Sequence, residues 1–158
     1  MFETILVPLD GSELAEAALP IAKELKDKFG SRVILVQAVE PSSHRLAQAP
    51  GFFESPAAAA AQVEMLEQAI DAERDDAKSY LDQTADKLGD GVEAYIVEDD
   101  PKDAIVSIAK DKGVTLIIMS SHGRGGLGRI VFGSVADAVL RSNEIPVLLL
   151  RDIDGDGK

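Results

Sequence analysis

The residues best equipped for chemistry lie together, in Ser120-Ser121-His122-Gly123-Arg124-Gly125-Gly126-Leu127-Gly128-Arg129-Ile130-Val131-Phe132-Gly133-Ser134. This stretch carries two arginines and no acid, in a chain whose net charge is −12, which leaves −14 elsewhere. Glycine lets backbone N–H groups approach an oxyanion. Gly133-Ser134 opens a helical pattern whose dipole favours negative charge. The combination reads as an anion cradle. The plainer reading is a surface loop made soluble by its arginines. Position favours the cradle, because the stretch begins where an apolar run ends and stops where a helix starts. In open α/β sheets ligands bind at such strand ends. Pro8-Leu9-Asp10-Gly11-Ser12 occupies the equivalent place after the first apolar run. There Asp10 has two open roles: meeting Mg²⁺ or a hydroxyl of a ligand, or capping the helix that follows. His122 is likewise either a phosphate contact or an ordinary turn residue.

Known phosphate patterns narrow the choice. Gly123-Arg124-Gly125-Gly126-Leu127-Gly128 fits G-x-G-x-x-G, but a dinucleotide fold places that motif after its first strand and needs more sheet afterwards. Only 30 residues follow Gly128. Gly128 to Gly133-Ser134 has the spacing of a P-loop without its lysine, so that class is excluded too. Ser12, His122 and Asp10 have no nucleophile elbow to serve a hydrolase triad. Asp152-Ile153-Asp154-Gly155-Asp156-Gly157 starts like an EF-hand loop, but the sequence gives no twelfth-position Glu and reads as a disordered acidic tail, 152–158. His44 sits in an irregular stretch and is assigned no role.

The elements that must carry these segments follow from hydrophobic spacing. Thr4–Leu9, Arg32–Val39, Val114–Met119 and Pro146–Leu150 are continuous apolar runs, as in parallel strands covered on both faces. Val92–Val97 alternates and reads as a strand nearer an edge. Between them lie helical patterns: Leu14 to Leu25 capped by Ser12 and stopped by Gly30, Ala57–Leu88, a helix opening at Asp100-Pro101, and Gly133–Ser142. Pro20 is expected to kink the first helix. Val63, Leu66, Ile70, Ala77, Leu81, Ala85 and Leu88 form the core stripe of the long helix. Its acids, including Glu64, Glu67, Asp71, Asp75, Asp82 and Asp86, read as a solvated face. Residues from about 40 to 58, with three prolines, read as an irregular loop. The βα alternation predicts one doubly wound α/β domain over 1–151, a five-stranded parallel sheet of order 3-2-1-4-5 with helices on both faces.

Composition bounds the rest. A chain of 158 residues is one domain, large enough to need no staple. The absence of cysteine excludes disulfides, thiolate metal sites and a thiol nucleophile, and two histidines exclude a histidine-rich metal site. The acidic balance opposes nucleic-acid binding over a broad face. Aromatic content of 4% with no Trp disfavours base-stacking platforms. The sequence shows neither a signal-peptide pattern nor a bilayer-spanning run, so a cytoplasmic protein without membrane insertion is expected.

Nearly the whole chain resembles the universal stress proteins, from Thr4-Ile5-Leu6-Val7-Pro8-Leu9-Asp10-Gly11-Ser12 to Ile145-Pro146-Val147-Leu148-Leu149-Leu150. The nucleotide-binding branch of that family carries G-x-x-G, nine residues, then G-[ST]. Gly123, nine residues and Gly133-Ser134 match the second part, while the first glycine of the pattern is Ser120 here. The resemblance implies a bound mononucleotide, ATP, with Mg²⁺ as an optional companion. It places Pro8, Leu9 and Asp10 near adenine and ribose, Ala38 against the adenine, and Met119 and Ser120 on the ribose side. His122, Gly123, Arg124 and Gly125 would face the phosphates together with Gly133, Ser134 and Val135. It also implies a homodimer paired through the last strand, whose apolar edge needs cover, and a role as a nucleotide-dependent stress-response or sensing module. Catalysis would extend at most to slow ATP hydrolysis or autophosphorylation. The alternative is a nucleotide-free structural or interaction member of the same fold, for which Ser120 is the main argument.

Overall fold

A computed structural model describes residues 2–41, 43–45, 55–121, 132–142 and 144–151. The strands are β1 (Thr4–Pro8), β2 (Arg32–Val39), β3 (Val92–Glu98), β4 (Leu116–Ser120) and β5 (Val147–Leu150). All pairings are parallel and the order is β3-β2-β1-β4-β5, as the alternation predicts. The helices are α1 (Glu13–Glu16), α2 (Ala18–Phe29), α3 (Pro56–Leu88), α4 (Pro101–Asp111) and α5 (Ser134–Ser142).

Strand side chains alternate between two cores, because successive residues point to opposite faces. Ile5, Val7, Val33, Leu35, Leu116 and Ile118 pack with Ala15, Ala18, Ala22, Leu81 and Leu88, under α1, α2 and α3. Leu6, Ile34, Val36, Ile117 and Met119 pack with Ile105, Ala109, Ala136 and Val139, under α4 and α5. Ile5, Leu6 and Val7 are fully buried, as a central strand requires.

Two expectations change. The first helix does not bend at Pro20; it breaks into α1 and α2 at Ala17. Proline has no N–H and its ring collides with the carbonyl four residues back, which here is Glu16, so the chain restarts just after that residue. The stripe on α3 is buried only from Ile70 onward; Val63 and Leu66 are half-covered and Met65 is exposed. Thirty-three residues of α-helix run about 50 Å, against about 26 Å for the eight residues of β2. The first turns of α3 therefore project past the carboxyl edge of the sheet. Ion pairs Arg45–Glu73 and Arg74–Glu98 tie α3 to a helical turn at 43–45 and to the end of β3.

Candidate functional site

The end of β1 turns at Asp10-Gly11-Ser12. Gly11 has φ 78°, a left-handed conformation that a side chain would strain. That turn brings Ser12 back onto Asp10, whose Oδ1 accepts from the Ser12 amide at 2.9 Å and from its hydroxyl at 2.5 Å. Ser12 Oγ in turn accepts from the Ala15 amide at 3.2 Å, so Ser12 caps α1. The two roles open to Asp10 are thus partly resolved: the cap is Ser12, and Asp10 braces it. The Ser12 hydroxyl thus donates to Asp10 and accepts the Ala15 amide at once, and the pair serves as a helix cap.

A single turn of helix is unstable alone, and α1 is held at its far end as well. Tyr80 on α3 donates its phenol to Glu16 Oε1 at 2.9 Å. Burial first, then the bond to Glu16 and the nearby charges of Glu16 and Asp10, push the Tyr80 phenol well above its usual range.

The sheet opens next to this turn. Pairing between β1 and β4 covers Ile5↔Leu116 and Leu6↔Ile117. The β1–β2 ladder continues to Pro8↔Val36 and the β4–β5 ladder to Ser120↔Leu150. Beyond Leu6 and Ile117 the two central strands part, on opposite sides of the point where chain order reverses. Such a crevice is the binding position of doubly wound sheets.

Strand alternation decides which side chains meet there. Pro8 follows Leu6, and Ala38 follows Ile34 and Val36, onto the face covered by α4 and α5, where Met119 and Val135 already lie. The structure thus brings Pro8, Ala38, Met119 and Val135 to one face. Leu9 lies differently: it is buried in the opposite core, and its amide donates to the Val36 carbonyl at 2.8 Å. Ser120 ends β4 and is half-buried.

Backbone hydrogen bonds fix the N-terminus of α5 to the same edge. Ser121 donates its amide to the Leu150 carbonyl at 2.7 Å and accepts from the Gly133 amide at 2.7 Å. Asp137 donates its amide to the Gly133 carbonyl at 3.0 Å, which makes Gly133 the residue before the first turn. The amides that follow, from Ser134, lack intrahelical partners by helix geometry. An apolar wall beside helix amides without intrahelical partners suits a flat heterocycle carrying an anionic group.

His122, Gly123, Arg124 and Gly125 lie outside the described residues, as does the tail 152–158. Among the described residues no group of three or more His, Cys, Asp or Glu side chains could hold a metal ion, and no helix is long and apolar enough to cross a membrane. Three residues at this edge escape sequence reasoning. Glu16 and Tyr80 meet across 64 positions, with no local signal in the sequence. Ser121 is buried, and its linking role runs through backbone atoms that any residue possesses.

Comparison with known proteins gives a consistent result. A model of the universal stress protein family matches residues 1–151. The universal stress protein MJ0577 of Methanocaldococcus jannaschii is 32% identical over 155 residues, covering 96% of each chain. Its solved structure superimposes with a TM-score of 0.78 at 30% identity, over 96% of this chain and 97% of that one. The same fold recurs in a universal stress protein from Archaeoglobus fulgidus solved in complex with dAMP, at 24% identity and TM-score 0.59 over 94% and 98% of the two chains. It recurs again in one solved with cAMP, at 20% identity and TM-score 0.58 over 94% and 95%.

Proposed function

The chain belongs to the universal stress protein family, and from that premise we propose that it binds an adenine nucleotide, ATP foremost, in the crevice between β1 and β4. The reading rests on the opening of the β1–β4 pairing beyond Leu6 and Ile117, where alternation puts Pro8 and Ala38 on the face that holds Met119 and Val135, next to the start of α5. Pro8 and Ala38 are assigned to the base, Asp10 to the ribose, Met119 and Ser120 to the ribose side. Gly133 and Ser134 are assigned to the phosphates through backbone amides, with His122, Gly123, Arg124 and Gly125 contributing from the glycine-rich segment. The dAMP and cAMP complexes of proteins with this fold support an adenine ligand. Any Mg²⁺ would arrive with the phosphates, with Asp10 as the carboxylate offered to it. Binding would serve a nucleotide-dependent sensing role in stress response, with hydrolysis or autophosphorylation at most slow.

A homodimer through β5 belongs to the same proposal. Leu148 on that edge strand and Leu140 on α5 remain exposed, and an uncovered apolar sheet edge favours pairing with another chain. Ser120 favours one competing reading, a nucleotide-free interaction protein, because a Cβ stands where the motif has glycine. The discriminating experiment is denaturation of the purified protein and mass spectrometry of what it releases, followed by titration of the stripped protein with ATP. Release or saturable binding of an adenine nucleotide supports the proposal. An empty protein that binds none at millimolar concentration favours the alternative.

A further inference from the structure

Between the crevice and the long helix runs one hydrogen-bonded chain. Asp10 accepts from Ser12, Ser12 caps α1, and Glu16 at the last position of α1 accepts from Tyr80 of α3. Four residues of helix cannot hold their own geometry, so α1 is set by its two ends and by buried Ala15 between them. The capped end carries Asp10 on its shoulder. The other end is gripped by a phenol from an element 64 positions away. Tyr80 itself packs against the core on the part of α3 where Ala77 and Leu81 are both buried, so its anchor is firmly held.

We propose that Tyr80 is a positioning residue for Asp10, acting through Glu16 and α1 to fix the carboxylate at the edge of the crevice. This inference rests on the nucleotide reading for its functional consequence, but its structural half stands without a ligand. The phenol bonds Glu16, although the charge of Asp10 lies nearby; its effect on Asp10 runs through the orientation of one helical turn. A consequence is that α3, whose first turns project beyond the same edge of the sheet, is linked to the binding site through Tyr80.

The test uses the full chain and the variants Tyr80→Phe, Glu16→Ala and Glu16→Gln, each with two readouts. The first is amide hydrogen exchange without nucleotide. The amides of Glu16 and Ala17 bond to the Ser12 and Glu13 carbonyls. They should exchange about tenfold faster in Tyr80→Phe and Glu16→Ala, the scale of one lost charge-assisted bond. Amides of β1 and β2 should be unchanged. Glu16→Gln keeps an acceptor for the phenol but loses the charge and should fall between wild type and Glu16→Ala, while Tyr80→Phe keeps the ring and so separates the bond from packing. The second readout is calorimetric titration with ATP and with Asp10→Ala as background. Tyr80→Phe should weaken ATP severalfold in the wild-type chain and not at all in Asp10→Ala. If α1 exchange is unchanged in Tyr80→Phe, or if Tyr80→Phe and Asp10→Ala act additively on affinity, the inference is overturned. If α1 loosens as expected but the wild type binds no nucleotide, the positioning role stands and the nucleotide reading falls.

Discussion

Replacing Ser12 by alanine removes two interactions through one oxygen. The hydroxyl accepts the Ala15 amide at 3.2 Å and donates to Asp10 at 2.5 Å. Loss of an N-cap to alanine costs about 1 kcal/mol. A hydrogen bond to a charged group is worth about 1.5 kcal/mol or more. Asp10 keeps the residue-12 amide as a donor and has access to water, so the two losses do not add fully; about 2 kcal/mol is expected. For a chain of this length that lowers the melting temperature by about 4–8 °C. Urea denaturation with an unchanged slope, paired with calorimetric melting, measures it. Ser12→Thr is the control. Ser12 has φ −89° and ψ 150°, an extended conformation that suits a β-branched side chain, so threonine should keep cap and bridge within about 0.5 kcal/mol. A Ser12→Ala protein as stable as wild type, or a Ser12→Thr protein as damaged as Ser12→Ala, would refute the bridged cap.

Leu81→Ala, at a side chain 1% exposed, should cost about 2–5 kcal/mol in denaturant unfolding, whereas Leu66→Ala on the overhanging turns of the same helix should cost under about 1 kcal/mol. The raised Tyr80 phenol means that the folded chain holds its proton more tightly than the unfolded chain does. That contribution is complete below pH ~10 and is lost as pH rises further. Ultraviolet titration should show tyrosinate from Tyr80, identified by its absence in Tyr80→Phe, only together with alkaline unfolding. Ionisation near pH 10 in the folded protein would contradict this. Leu148→Lys puts a charge on the exposed β5 edge and should convert a sedimenting dimer to monomer with the fold retained; a wild-type monomer at tens of micromolar would remove the dimer.

The path of the chain was largely legible because a parallel sheet writes itself into sequence. Each strand buried on both faces is an apolar run, and each crossover needs a helix, so order 3-2-1-4-5 follows from alternation and the most apolar runs. Caps at Ser12 and Asp100 were legible for the same local reason, since polar side chains there bond amides two or three residues on. Pro56 is harder to read. It looks like a loop residue, yet it sits at the first helical turn behind the Ser55 cap, where a missing N–H costs nothing. Val114 and Thr115 look like strand but serve the junction before it: the Val114 amide closes α4 onto Ala109, and Thr115 Oγ1 bridges to Thr4. The strand ends that border the crevice were legible by position. Which of their residues share a face is settled only by the register, and the Tyr80–Glu16 contact follows from the lie of α3 across the sheet, which no local pattern encodes.

The central claim is tested most directly by calorimetric titration of the stripped protein with ATP, alongside Gly133→Val and Ser120→Gly, with circular dichroism as the fold control. Saturable binding by the wild type is predicted. Gly133→Val, which puts a branched side chain at the start of α5, should abolish binding while the spectrum is kept. Ser120→Gly should bind at least as tightly. A wild-type chain that shows no heat at millimolar ATP, with Ser120→Gly failing to create any, would contradict the account.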